Sequence, residues 1–201
     1  MIKHLVMDVD GVLNTGHFLY SDKGKIFKVF GPHDKDGIKI AQSMGLTIDF
    51  ITADKNGWAI TCARLVQDWK ILSENVHLVT EEDRLNWIEQ KFNLQEVAYI
   101  GDGIHDAPIL KKAAIGIAPN SARREAKAAA DYITESNAGS GAVLDAILIV
   151  QQIIKHSRGI MTLFKKIKNF IIYRIFGKLT REINYRKRLK EMRKRDPFIY
   201  K

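Results

Sequence analysis

The chain carries a single cysteine, Cys62, among its 201 residues. No intramolecular disulfide can form, so the fold must rest on its core, and a reducing compartment is expected. Cys62 lies in an apolar helical stretch with nothing electropositive arranged around it, which reads as structural rather than reactive. Long hydrophobic runs are also missing, and none approaches the about twenty residues that cross a bilayer. The first residues lack the basic-then-apolar order of a signal peptide, so a cytoplasmic protein is expected, with peripheral membrane contact left open. No two of the six histidines stand at metal-ligand spacing, which argues against zinc. Acidic residues are scarce in one region only: residues 1–154 hold 16 Lys+Arg against 20 Asp+Glu, whereas 155–201 hold 16 against 3. The net charge of +9 therefore belongs to the tail.

What is present is organised around Met7-Asp8-Val9-Asp10-Gly11-Val12-Leu13. An apolar run from Ile2 to Met7, the length of a buried strand, ends in two carboxylates spaced i, i+2 and a glycine. Alternate strand residues share a face, so both acids leave the strand's carboxyl end together, where open parallel sheets bind ligands. Carboxylates that close repel unless something positive lies between them, and a hard divalent cation with oxygen ligands fits. A second acidic cluster, Gly101-Asp102-Gly103-Ile104-His105-Asp106, follows the apolar run Val97 to Ile100. Strands alternating with helices throughout predict a parallel, Rossmann-like three-layer α/β/α sandwich.

Asp8 to Leu13, Thr52 at a strand end and Gly101 to Asp106 resemble motifs I, II and IV of the haloacid dehalogenase (HAD) superfamily of phosphatases. Within it, residues 1 to about 150 resemble the small, capless sugar-acid phosphatases typified by those acting on 3-deoxy-D-manno-octulosonate (KDO) 8-phosphate. The resemblance implies a HAD-like domain over 1–154 with Asp8 as nucleophile and Asp10 as acid and base. It implies Mg2+ held by Asp8, Asp10 (through its main-chain carbonyl) and Asp102, with Asp106 behind them or acting through water, and a phosphate cradle of Thr52, Ala53 and Arg84; His105, inside the second acidic loop where a substrate would lie, reads as a substrate contact or a solvent-facing loop residue. The resemblance also implies a homo-oligomer, a tetramer being the family's tendency, and a small phosphorylated sugar or sugar acid as substrate. A cap domain has no room between Leu13 and Thr52.

Three departures stand out. The family's Thr-Gly-Arg is Thr52-Ala53-Asp54 here. No lysine lies between Lys70 and Lys91, where the superfamily places one; Arg84 is the nearest match, a guanidinium able to grip phosphate. By charge pattern alone Arg84 reads equally well as a surface residue paired with Glu81 or Glu82. The family's closing arginine has no counterpart in Gly139-Ser140-Gly141. A weakly catalytic or non-catalytic HAD-fold assembly module, its tail bound to a partner or anionic lipid, is therefore the alternative to a full enzyme.

Locally, Phe18 to Tyr20 and Lys25 to Phe30 flank the turn Ser21-Asp22-Lys23-Gly24 and read as a β-hairpin flap. Asp34 to Met44 reads as a helix with Asp34 as N-cap. Helices are expected over Trp58–Trp69 and from about Thr80 to Phe92, and a last helix from about His156. In that extension, residues 155–201, Ile160, Leu163, Phe164, Ile167, Phe170 and Ile171 recur at helical spacing among Lys165, Lys166, Lys168 and Arg174. Arg186-Lys187-Arg188, Lys190 and Arg193-Lys194-Arg195 follow. Three readings compete: packing on the domain or a sister subunit, an anionic membrane surface contacted through 156–195, and nucleic acid, for which no recognised module is present.

Overall fold

The computed structural model describes residues 1–195, and the side chains of all of them except 161, 169–185, 189 and 192–195. The side chains of Phe170, Ile171, Arg174 and Arg193 to Arg195 thus lie outside the described residues. The chain divides into two units, Met1–Ile154 and Lys155–Lys201.

The first unit is built on a parallel sheet of six strands: β1 (His4–Asp8), β4 (Thr47–Thr52), β5 (Val76–Leu78), β6 (Val97–Ile100), β7 (Ile115–Ala118) and β8 (Tyr132–Ile133). Their order is β5-β4-β1-β6-β7-β8. The chain starts in the middle of the sheet, works outward to β5, then returns to the other side of β1 at β6. That reversal leaves a crevice at the carboxyl ends of β4, β1 and β6, the place where open α/β sheets hold ligands.

Both faces of the sheet are covered, which explains why its central strands are apolar rather than alternating. Along β1, Leu5 and Met7 point into one core layer with Ile38, Phe50, Val143 and Ile147. Val6 points into the other with Ile51, Tyr99, Ile109 and Leu110. Each fully buried Leu or Ile contributes about 1.5–3 kcal/mol. The helices supplying these layers are α1 (Asp34–Ser43), α2 (Trp58–Cys62), α3 (Arg84–Lys91), α4 (Ala107–Lys112), α5 (Arg124–Ala129) and the start of α6 (Ala142–Arg195).

A separate antiparallel hairpin, β2 (Asn14–Ser21) and β3 (Gly24–Phe30), follows motif I. Its register slips: Leu19 pairs with Phe27 but Tyr20 with Lys25, which leaves Ile26 as an extra residue on β3.

Several boundaries differ from the sequence expectation. Asp34 is not the cap of α1; His33 holds that position, without a side-chain bond. The buried Asp34 carboxylate instead accepts the Val143 amide at 3.0 Å, capping the start of α6 from 109 residues away. Gly37 permits this approach, since a Cβ there would stand 2.8 Å from the Leu144 Cα. The helix expected over Trp58–Trp69 changes to π-helical geometry at Ala63–Asp68. The helix expected from Thr80 begins only at Arg84, after a turn in which Asp83 accepts the Thr80 hydroxyl proton at 2.8 Å. The last helix begins at Ala142 rather than near His156, because Gly139 and Gly141, both at positive φ, end the preceding loop. Among the described residues no helix is long and apolar enough to cross a membrane.

Candidate active site

The crevice contains a cavity of about 390 Å³, walled among others by Asp8, Asp10, Phe18, Lys25, Arg84 and His105. Asp8 is the last residue of β1, and its Oδ1 accepts the Val9 amide at 2.8 Å. Its Oδ2 lies 3.1 Å from Arg84 Nη1. Gly11 follows at φ +88°, a conformation natural to glycine, and a Cβ there would overlap the Asp102 carboxylate. The glycine within motif I thus lets the β6 loop close on β1.

Asp8, Asp102 and Asp106 each offer a carboxylate oxygen within 4.8 Å of the others. Asp106 is saturated: Arg84 donates to its Oδ1 at 2.7 Å and the Tyr99 hydroxyl at 2.5 Å, while the amides of Asp102 and Gly103 donate to its Oδ2 at 3.0 and 2.9 Å. Four donors fill the about four lone-pair sites of a carboxylate, so Asp106 shapes the loop rather than offering a free ligand atom. Asp8, with one partner on each oxygen, keeps lone pairs for a further ligand, and so does Asp102.

One guanidinium against three carboxylates leaves the cluster short of positive charge. Burial raises the Asp8 carboxyl well above its ordinary value, Arg84 opposes this, and the charges of Asp106, Asp102 and Asp10 add to it. Asp102 is pushed up to about 7, by burial first and by the Asp106 charge next. Burial disfavours the Arg84 charge, but Asp8 and Asp106 outweigh it and keep the guanidinium protonated. An all-oxygen donor set lacking cationic charge fits a hard divalent ion.

Asp10 stands apart. Its carboxylate is not in the three-acid cluster but is held by other donors: Asn14 Nδ2 at 2.7 Å, the Thr52 hydroxyl at 2.8 Å and Lys28 Nζ at 2.8 Å. The two motif I carboxylates therefore face different partners, and the metal role expected of Asp10 is that of its main-chain carbonyl. Asp10 turns away because Thr52, Asn14 and Lys28 offer it better-placed protons than the cluster does.

The remaining expected residues fall as follows. Thr52 is buried at the end of β4, its proton given to Asp10 and its oxygen accepting the Asp54 amide at 3.0 Å. Ala53 lines the cavity. Arg84, the first residue of α3, is buried against Asp8 and Asp106, not paired on the surface with Glu81 or Glu82. His105 lies exposed at the rim, 3.1 Å from Glu81 Oε2. Four contributors escaped the sequence reading: Asn14, Lys25, Lys28 and Asp54. Lys25 and Lys28 stand three apart on a strand, a spacing that places residues on opposite faces, and the extra residue Ile26 brings both to the same side.

Residues 83–147 match the model of the haloacid dehalogenase-like hydrolases. The chain is 29% identical over 167 residues to the 3-deoxy-D-manno-octulosonate 8-phosphate phosphatase KdsC of Salmonella typhi, covering 79% of this chain and 85% of that protein. Two solved structures are similar in fold. One is the 3-deoxy-D-manno-octulosonate 8-phosphate phosphatase of Moraxella catarrhalis in complex with magnesium, phosphate and KDO (TM-score 0.65, 24% identity, 81% of this chain and 93% of that one). The other is the cobalt-bound deoxy-D-mannose-octulosonate 8-phosphate phosphatase of Haemophilus influenzae (TM-score 0.63, 26% identity, 75% and 88%). The fold is that of the haloacid dehalogenase-like hydrolases, whose model residues 83–147 match. Within that superfamily, the chain resembles the capless KDO 8-phosphate phosphatases.

Proposed function

We propose that the protein is a magnesium-dependent phosphatase that hydrolyses a phosphomonoester of a small sugar or sugar acid, of the KDO 8-phosphate kind, through an aspartyl-phosphate. The observation that carries this is the separation of two neighbouring carboxylates into different environments within one cavity. Asp8 stands against Arg84 and the acidic cluster, whereas Asp10 is surrounded by hydrogen-bond donors. Carboxylates set apart in this way can take different roles in one reaction, and the resemblance assigns Asp8 as nucleophile and Asp10 as acid and base.

In the first step an Asp8 oxygen attacks phosphorus, the bond from phosphorus to the sugar oxygen breaks, and Asp10 gives its proton to that oxygen. In the second, Asp10 takes a proton from water, the water oxygen attacks phosphorus, and the bond to Asp8 breaks, releasing phosphate. Splitting one displacement into two lowers each barrier. Arg84 balances the charge of Asp8 and faces the phosphoryl oxygens, with Thr52, Ala53 and His105 lining the remainder. Magnesium, held by Asp8, Asp102 and the Asp10 main-chain carbonyl with Asp106 behind, would offset charge on the phosphoryl oxygens. The cobalt-bound relative supports a divalent ion of this kind.

The proposal assigns catalysis to residues 1–154 in a cytoplasmic homo-oligomer. It gives the extension 155–201 a peripheral contact with anionic membrane, because its described apolar face is exposed and its flanks are basic. Phosphate release from a panel of sugar and sugar-acid phosphates, with and without magnesium, tests the catalytic part. Turnover is expected only with the metal, and Asp8→Asn should lower it at least about 10³-fold, since the nucleophile is lost. Metal binding without turnover on any member would return the chain to the assembly-module reading.

A further inference from the structure

Lys28 is the least expected member of the site. It projects from the hairpin, its side chain wholly buried, and its ammonium reaches three side chains: Asp10 (Oδ1 at 2.8 Å and Oδ2 at 3.0 Å), Asp54 Oδ2 at 2.9 Å and the Thr61 hydroxyl at 2.9 Å. An ammonium has three protons, so Lys28 is saturated. Asp54 in turn binds Lys25 Nζ at 2.5 Å, and its Oδ1 accepts the Gly57 amide at 3.0 Å. Lys25 rests 3.5 Å from the centre of the Phe18 ring. At Gly57 a side chain is excluded, because a Cβ would overlap both the Asp54 carboxylate and Lys28 Cε. Burial acts to raise the Asp54 carboxyl, and the two lysines outweigh it, holding Asp54 below its ordinary range.

A buried lysine without counter-charge is costly, and two of them beside a cavity meant for a phosphate dianion would otherwise be free to bind it. Asp54 removes that freedom. It stands where the resembling family has arginine, so this chain exchanges a cation in the loop after β4 for an anion that fastens the hairpin's cations.

We infer that Lys28 is a positioning residue for Asp10, latched by Asp54, so that the hairpin sets the orientation of the group that protonates the leaving oxygen. This rests on the phosphatase reading given above. Asp10 receives donors from three separate segments: Asn14 after motif I, Thr52 at the end of β4 and Lys28 on β3. Asn14 opens β2 only four residues after Asp10, whereas Lys28 reaches Asp10 from the far strand of the hairpin. Removing Lys28 leaves the carboxylate chemically intact but free to rotate away from the leaving group.

Leaving-group dependence separates this role from a structural one. A sugar alkoxide must be protonated as it leaves, whereas 4-nitrophenolate leaves unaided. The ratio kcat/KM covers the steps up to the first cleavage at phosphorus, so Asp10's later task with water does not enter it. For Lys28→Met, kcat/KM on KDO 8-phosphate should fall about 10²-fold, the lower range of a general-acid contribution, while kcat/KM on 4-nitrophenyl phosphate changes less than about threefold. Lys28→Arg, which keeps charge and donors, should recover most of the loss. Asp54→Asn, which does not touch Asp10, should give the same selective pattern at smaller amplitude, and it covers the case in which Lys28→Met does not fold. Equal losses on both esters, or none, would overturn the inference while leaving the phosphatase reading in place. Wild-type protein that cleaves neither ester would overturn both.

Discussion

Arg84 stands where the superfamily has lysine, and the geometry indicates how much of that role a guanidinium can take. A single nitrogen, Nη1, serves both Asp8 and Asp106, at 3.1 and 2.7 Å, while the buried Nε has no partner. The forked geometry of arginine is therefore not used against these two acids, and a lysine ammonium could bridge them as well. Arg84→Lys should retain activity within about tenfold. Arg84→Met should be nearly inactive and destabilised by about 3 kcal/mol, because it leaves buried carboxylates unpaired. Urea unfolding at neutral pH beside phosphate-release assays checks both; a stable, active methionine variant would remove Arg84 from the site. Asp8 and Asp102 were legible because the neighbouring letters define them, an acid closing an apolar run; Arg84 was singled out only as the nearest match to the family's lysine, its charge pattern fitting a surface pair equally well. Lys28 was not, since its direction depends on one extra residue in a hairpin, and periodicity of two misplaces every side chain beyond a bulge.

At the scale of elements, the loop after β6 is built to hold negative charge that it cannot by itself neutralise. Burial raises Asp8 and Asp102 above the ordinary 3.8, Asp102 to about 7. An acid with a raised folded pKa gives the metal-free protein stability that is complete below the unfolded value and is lost as pH climbs through the folded one. Between about pH 4 and 7 the metal-free protein should therefore lose stability as pH rises. Magnesium binding to Asp102 requires the proton to leave, so affinity should weaken about tenfold per pH unit below 7. Melting temperature measured with and without magnesium at pH 5.5 and pH 8 checks the sign: the gain from metal must be larger at pH 8. An equal gain at both would show that Asp102 does not compete with a proton for the ion. The strands carrying these loops could be read from the sequence because buried parallel strands are continuous apolar runs. Helix starts were less legible, since Asp34 has the composition of a local cap yet serves a helix 109 residues later. Nothing local encodes such a partner.

On the scale of the whole molecule, charge is divided sharply, with a net of −4 in residues 1–154 and +13 in 155–201. Within the described part of the extension, Ile160, Leu163, Phe164 and Ile167 are exposed, Leu163 by 58% and Phe164 by 65%. At about 100° per residue these four fall within about 100° of arc, while Lys165, Lys166 and Lys168 lie outside it. Of the three partners that sequence reading left open, an anionic lipid surface would use both faces, whereas nucleic acid has no use for an exposed Leu-Phe stripe; packing on the domain or a sister subunit is separated from lipid by experiment. Full-length protein should sediment with vesicles containing phosphatidylserine at low salt, stay in solution with neutral phosphatidylcholine, and be released as salt rises. Reversing Lys165, Lys166 and Lys168 to Glu should weaken binding at least about 10²-fold, at about 1 kcal/mol for each basic residue near the surface. Phe164→Asp should weaken it with the charges intact. If Phe164→Asp leaves binding unchanged while a DNA or RNA duplex competes the protein off the vesicles, the basic face alone is in use and the partner is nucleic acid. If vesicles of either kind fail to bind and deletion of 155–201 changes the oligomeric state, the stripe belongs between subunits, and the membrane proposal fails.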